Sequence, residues 1–214
     1  MRIAAESLDH VLLGAPTLEK GIAWLEERTG VRAAPGGSHP GLGTWNALAS
    51  LGPAKYIEII APDPGQPGVV TFYVPGLRDL AAPRFVTWAA KGGDLASGFQ
   101  ATLPRDMACE SARPGSRILL DGTPLSWTLA FPTHRSHGAF AGLLPFLIEW
   151  GSEEQHPGKS TPRGLTLRAL HLRHPESGAL NHALAALGVT GGATHAAEAS
   201  IGIELETTRG AVLL

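Results

Sequence analysis

The sequence holds a single cysteine, Cys109. One cysteine excludes an internal disulfide and a thiolate-rich metal site, and with no histidine beside it the thiol lacks the electropositive setting of reactive cysteines. Charge is scarce as well. Asp, Glu, Lys and Arg make up 17% of the chain, 17 basic residues stand against 19 acidic ones, and no basic block occurs. A nucleic-acid surface needs such a block or stripe, so no nucleic-acid partner is expected. No apolar run approaches the roughly 18 residues of a spanning helix, and MRIAAESLDHVLLG is interrupted by Glu6, Asp9 and His10, which does not fit a secretory signal. No membrane association is expected, and the expected location is the cytoplasm. Also missing are a GxGxxG after a strand, a Walker loop and a GxSxG elbow. Dinucleotide, nucleoside-triphosphate and serine-hydrolase chemistry therefore lack their mechanical parts.

What the chain has is apolar material, 43% of 214 residues, enough for a large core in one domain or two fused modules. LDHVLL reads as a strand, and Thr17 caps a helix in LEKGIAWLEERTG with Leu18, Ile22 and Leu25 as its buried stripe and Gly30 as its stop. A strand near residues 31–35 follows, then TWNALASLG and KYIEIIAP on either side of Gly52-Pro53. The order is β-α-β-β-β. Laying Leu18 on Leu95 brings RFVTWAAKGGDL onto the first strand and helix start. DLASGFQATL then gives a short helical stretch, and strands follow around Asp121-Gly122 and in LLPFLIEWG. After the linker GSEEQHPGKSTPRG comes a partial third copy: a strand in LTLRALHLRHP, a helix in ALNHALAALGV and two strands around Arg209-Gly210. The predicted fold is α+β, with βαβββ modules at 6–61 and 84–151 and a βαββ unit at 165–214, together one globular domain.

The chemistry starts from Glu58, a carboxylate in the apolar run YIEII. An unpaired buried charge costs several kcal/mol or shifts its pKa, so Glu58 must face water, a cation or a polar ligand. A period of two puts Tyr56, Glu58 and Ile60 on one face and Ile57 and Ile59 on the other. Glu149 in FLIEW repeats the pattern. The ordinary use of such alternation is an exposed sheet face. The repeat, with His10 in register on the first strand, points instead to a shared cavity. Two carboxylates there would repel, so without a metal at least one is expected to have a raised pKa or to borrow a proton from a neighbour such as His10 or Tyr56. Replacing either by Gln is expected to leave the fold intact or stabilised.

His39 lies among Gly36, Gly37, Gly41 and Gly43, which permit close backbone approach, and Thr44 and Asn46 alternate onto one strand face. Its unperturbed pKa near 6.5 suits proton transfer. Trp127 is a candidate pocket wall. His134 and His137 read as a surface loop, and His156-Pro157 either caps the cavity or starts the linker.

The segments LDHVLLGAPTLEKGIAWL, GGSHPGLGTWNAL, YIEIIAPD and PFLIEWG with the later HPG resemble the glyoxalase-like branch of the vicinal oxygen chelate superfamily, over roughly residues 6–175. The resemblance implies two modules whose curved sheets form an open barrel. It also implies a divalent metal (Zn, Mn, Fe or Ni) held by His10, Glu58 and Glu149, with Thr87 where the family usually has a histidine. One activity it implies is a metal-dependent lyase, isomerase or dioxygenase acting on an oxygen-rich or carbonyl substrate. His39 and Glu149 would be its catalytic groups, and Asn46, Thr87 and Trp127 would contact the substrate. The other is a metal-free protein that binds or sequesters a small molecule. A small molecule is the expected partner in both, and a homodimer is left open.

Overall fold

Strand β1 (Leu8–Gly14) is buried along its whole length, as an apolar strand covered on both sides must be. In the computed structural model, residues 1–69, 74, 76–93, 95, 112–118, 122–132, 138 and 140–214 are described. The helical stretch expected at 94–103, Asp121, Cys109, His134 and His137 lie outside them, apart from Leu95. The chain divides into two compact units. The first contains residues 10–87, 157–168 and 202–214, and the second residues 1–9, 88–156 and 169–201.

In the first unit β1 leads to α1 (Leu18–Thr29), β2 (Ala34–His39), β3 (Thr44–Ser50) and β4 (Tyr56–Pro62). Their order across the sheet is β2-β3-β4-β1, antiparallel except for the parallel pair β4 and β1. Helix α1 starts where Thr17 accepts the Lys20 N–H at 3.3 Å and stops at Gly30, whose φ of 78° suits only glycine well. Its buried positions are Leu18, Gly21, Ile22, Leu25 and Thr29. Gly21 sets how closely it sits on the sheet: a Cβ there would fall 2.3 Å from Ile59 Cγ2. The helix thus covers the Ile59 face of β4, and Glu58 points to the other.

The second unit carries β5 (Arg84–Lys91) from Trp88 onward, β6 (Arg113–Ile118), β7 (Pro124–Ala130) and β8 (Phe146–Trp150). The order β5-β8-β7-β6, with β5 and β8 parallel and the other pairs antiparallel, repeats β1-β4-β3-β2. The fold is α+β, with repeated βαβββ-like modules whose sheets curve as half-barrels. The C-terminal segment forms β9 (Leu165–His174), α2 (Ser177–Ala186), the short β10 (Thr194–His195), β11 (Ser200–Thr207) and β12 (Gly210–Leu213). β10 pairs in parallel with β9 in the second unit, and β11 pairs antiparallel with β12 in the first. Strand β10 is an addition to the expected βαββ order. No helix among the described residues is long and apolar enough to cross a membrane.

Candidate functional site

The face of the first unit turned away from α1 collects polar side chains from four strands. Register places His10 opposite Tyr56, and Leu12 opposite Glu58, on β1 and β4. It places Leu48 opposite Glu58 and Asn46 opposite Ile60 on β3, and Gly37 opposite Asn46 on β2. Asn46 is therefore the diagonal neighbour of Glu58, within reach of a long side chain.

The contacts follow from that register. Asn46 Nδ2 donates to Glu58 Oε1 at 2.8 Å and lies 3.1 Å from His39 Nε2. His10 Nε2 is 3.4 Å from Glu58 Oε2, and its ring stacks on Tyr56 at 4.5 Å between centroids. His39 Nε2 is 3.7 Å from Glu58 Oε1, and His39 Nδ1 is 2.8 Å from Thr44 Oγ1. In a neutral His39 ring, Nε2 would accept from this amide and Nδ1 would carry the proton donated to Thr44. The glycine-rich lead-in has its reason here. A Cβ at Gly36 would lie 2.2 Å from Asn46 Oδ1, so only a glycine lets β2 pass over this amide.

Burial of Glu58 acts to raise its pKa, and that is the largest single influence. It is outweighed by the hydrogen bond and charge of His10, the charge of His39 and the Asn46 hydrogen bond, which together lower the carboxyl from 4.5 to about 2. The expected raised carboxyl is thus corrected at Glu58. Its neighbours in contact are imidazoles and an amide, and these favour the anion. Glu58 is a fixed anion at neutral pH, a weak proton acceptor but a strong hydrogen-bond acceptor. Side-chain exposure rises from 2% at His10 to 10% at Glu58 and 14% at His39, so the cluster opens to solvent on its His39 side.

The loop behind His39 is braced by Asp63. Its carboxylate accepts from Ser38 Oγ, from Gln66 Nε2 at 2.8 Å and from the Gly65 N–H at 2.8 Å. The Ser38 hydrogen bond is the first cause of an Asp63 pKa below the usual carboxylate range. Gln66 also donates to the His39 carbonyl at 3.1 Å.

His10, His39, Asn46 and Glu58 are brought together within the first unit. Thr87 is buried there, with its Oγ1 lacking a hydrogen-bond partner among the described residues. Glu149 and Trp127 belong to the second unit. Glu149 Oε2 accepts the Leu95 N–H at 2.9 Å, and Trp127 packs edge-on against Trp150 at 6.0 Å. The sequence reading missed Asp9. It is 1% exposed, and its Oδ2 accepts from Trp150 Nε1 at 3.1 Å and lies 3.2 Å from Nε2 of the buried His156. The only sequence signal was a carboxylate beside His10 in an apolar strand. Among the described residues no group of three or more His, Cys, Asp and Glu side chains is arranged to hold a metal ion.

A glyoxalase-like domain model matches residues 8–188. The crystal structure of a hypothetical protein from Staphylococcus aureus aligns over 96% of this chain and 83% of that chain, with a TM-score of 0.61 and 12% identity, a likeness of fold alone. Methylmalonyl-CoA epimerase from Mycobacterium tuberculosis aligns over 69% of this chain and 91% of its own, at 18% identity and a TM-score of 0.40. The Streptomyces coelicolor methylmalonyl-CoA epimerase aligns over 70% of this chain and 100% of its own, at 13% identity and a TM-score of 0.45. No curated protein matches the sequence.

Proposed function

The chain belongs to the glyoxalase-like domain family of the vicinal oxygen chelate superfamily, and from that premise we propose that it binds a small molecule at the His10, His39, Asn46 and Glu58 cluster without needing a metal ion. The observation that carries this reading is the Asn46 amide. It engages both Glu58 Oε1 and His39 Nε2, so a protein amide bridges the carboxylate and the imidazole at the open side of the cluster. The donor set is therefore already organised by protein hydrogen bonds. A ligand entering on the His39 side meets a fixed carboxylate that accepts its hydroxyl, amine or amide hydrogen. Leu12, Leu48 and Ile60 are the apolar cross-strand neighbours of the cluster. The test is a thermal-shift screen of small oxygen-rich compounds in the presence of a chelator. Hits that persist there and are lost in His39→Ala and Glu58→Gln support the reading, and binding that needs added divalent metal overturns it.

One distance favours a second reading, a metal-dependent lyase, isomerase or dioxygenase. Two ligands about 2.0 to 2.2 Å from a shared tetrahedral ion sit about 3.3 to 3.6 Å apart, and His10 Nε2 and Glu58 Oε2 are 3.4 Å apart. His10 and Glu58 would hold the ion, and the bound metal would supply Lewis-acid polarisation of a substrate oxygen. His39 would carry the proton in that scheme. Metal analysis of protein purified without chelator or affinity tag separates the two. Stoichiometric metal that disappears in Glu58→Gln selects the second.

A further inference from the structure

A cavity of about 530 Å³ lies in the first unit, lined by none of His10, His39, Asn46 and Glu58. It is bounded by the end of β3 and the turn after it, the segment leading into β9, and the end of β11. Its volume falls in the usual range of small-ligand pockets, roughly 300 to 1,000 Å³. Three hydrogen bonds pin its walls: Ser50 Oγ donates to the Gly158 carbonyl at 2.8 Å, the Ser50 N–H to the Pro162 carbonyl at 2.8 Å, and the Leu167 N–H to the Leu51 carbonyl at 3.1 Å. Gly158 packs against the Lys55 backbone so closely that a Cβ would lie 2.6 Å from the Lys55 carbonyl oxygen. The cavity is formed before any ligand arrives.

Its charge is one-sided. Lys159 and Arg163 line it, and neither makes an ion pair with a carboxylate among the described residues. Arg163 spends one Nη2 hydrogen on the Lys159 carbonyl at 3.4 Å. The one lining carboxylate, Glu206, is already paired with Arg168. Thr166 and Thr208 add hydroxyl donors, and Pro53 and Leu165 add apolar wall. Two unanswered cations and two hydroxyls around an apolar-walled cavity match a small organic oxyanion, one phosphate or carboxylate head with an apolar remainder.

We infer that this cavity is a second binding site of the protein, specific for a small organic oxyanion held by Lys159 and Arg163. Its two natural chemistries are separated by titrating full-length ¹⁵N-labelled protein with phenyl phosphate in one arm and benzoate in the other, each against sodium chloride at matched ionic strength. The expected result is saturable shifts of the Gly158, Gly164, Thr166 and Thr208 amides in at least one arm, with His39, Asn46 and Glu58 amides unmoved. Lys159→Ala and Arg163→Ala, both exposed and folded on their surroundings' account, should each weaken binding about tenfold, as loss of a charge-assisted hydrogen bond does. No saturable shift in either arm, shifts reproduced by chloride, or unchanged affinity in both variants would each overturn the proposal.

Discussion

Replacing Glu58 by Gln removes one charge and almost no volume, so it isolates the electrostatic part of the cluster. Lowering the carboxyl from 4.5 to about 2 amounts to about 3 kcal/mol at about 1.4 kcal/mol per pK unit. The residue is 8% exposed, so solvent screens little of this. The folded carboxyl ionises at lower pH than the unfolded one. Its stabilisation is therefore complete above about pH 5 and is lost as the pH falls towards about 2. Gln retains an oxygen for the Asn46 amide, so the loss at neutral pH should be about 1 to 3 kcal/mol. This reverses the sequence expectation of a neutral or stabilising change, because Glu58 sits among imidazoles and not against a second carboxylate in contact. The assay is urea unfolding of both proteins from neutral pH down to about pH 3. The gap between them should be present above about pH 5 and narrow as the solution is acidified below it. Equal stability at neutral pH, or a gap that stays constant through the acid limb, refutes the reasoning.

Three further outcomes follow from named contacts. Asn46→Ala leaves Glu58 Oε1 and His39 Nε2 without their shared donor, and should cost about 1 to 3 kcal/mol in urea unfolding. Gly21→Ala puts a methyl 2.3 Å from Ile59 Cγ2, and α1 must lift from the sheet, for a loss of about 1 to 3 kcal/mol read as a lower Tm. Glu149→Gln keeps an oxygen for the Leu95 N–H, so unfolding should move by less than about 0.5 kcal/mol.

The sequence carried the site where the signal was local. Alternation in YIEII placed Glu58 on the face opposite α1, and the glycines before Asn46 announced a close approach that the structure assigns to the Asn46 amide itself. The topology was legible because β1-β4-β3-β2 and β5-β8-β7-β6 follow from one repeated order of strands. The start of β2 was not. Its pairing begins at Ala34 and carries an irregularity between Pro35 and Gly37, set by tertiary register with β3 and not by any residue pattern of its own. Asp9 and His156 are 147 positions apart, and no spacing rule links two residues joined only by the folded chain. The direction of the Glu58 pKa shift was also hidden. It depends on which partners come within hydrogen-bond distance, and strand alternation gives only the face.

The central claim is that a small molecule binds the Glu58 cluster without metal. Its most direct test is a fragment screen by ¹⁵N and ¹³C NMR on protein stripped with chelator, with the histidine side chains observed. The account predicts saturable hits whose shifts centre on His10, His39, Asn46 and Glu58 and vanish in His39→Ala, a variant at the exposed edge of the cluster that leaves the Glu58 contacts to His10 and Asn46 in place. Hits confined to other residues, or binding at these four that arises only after zinc, manganese, iron or nickel is added, would contradict it.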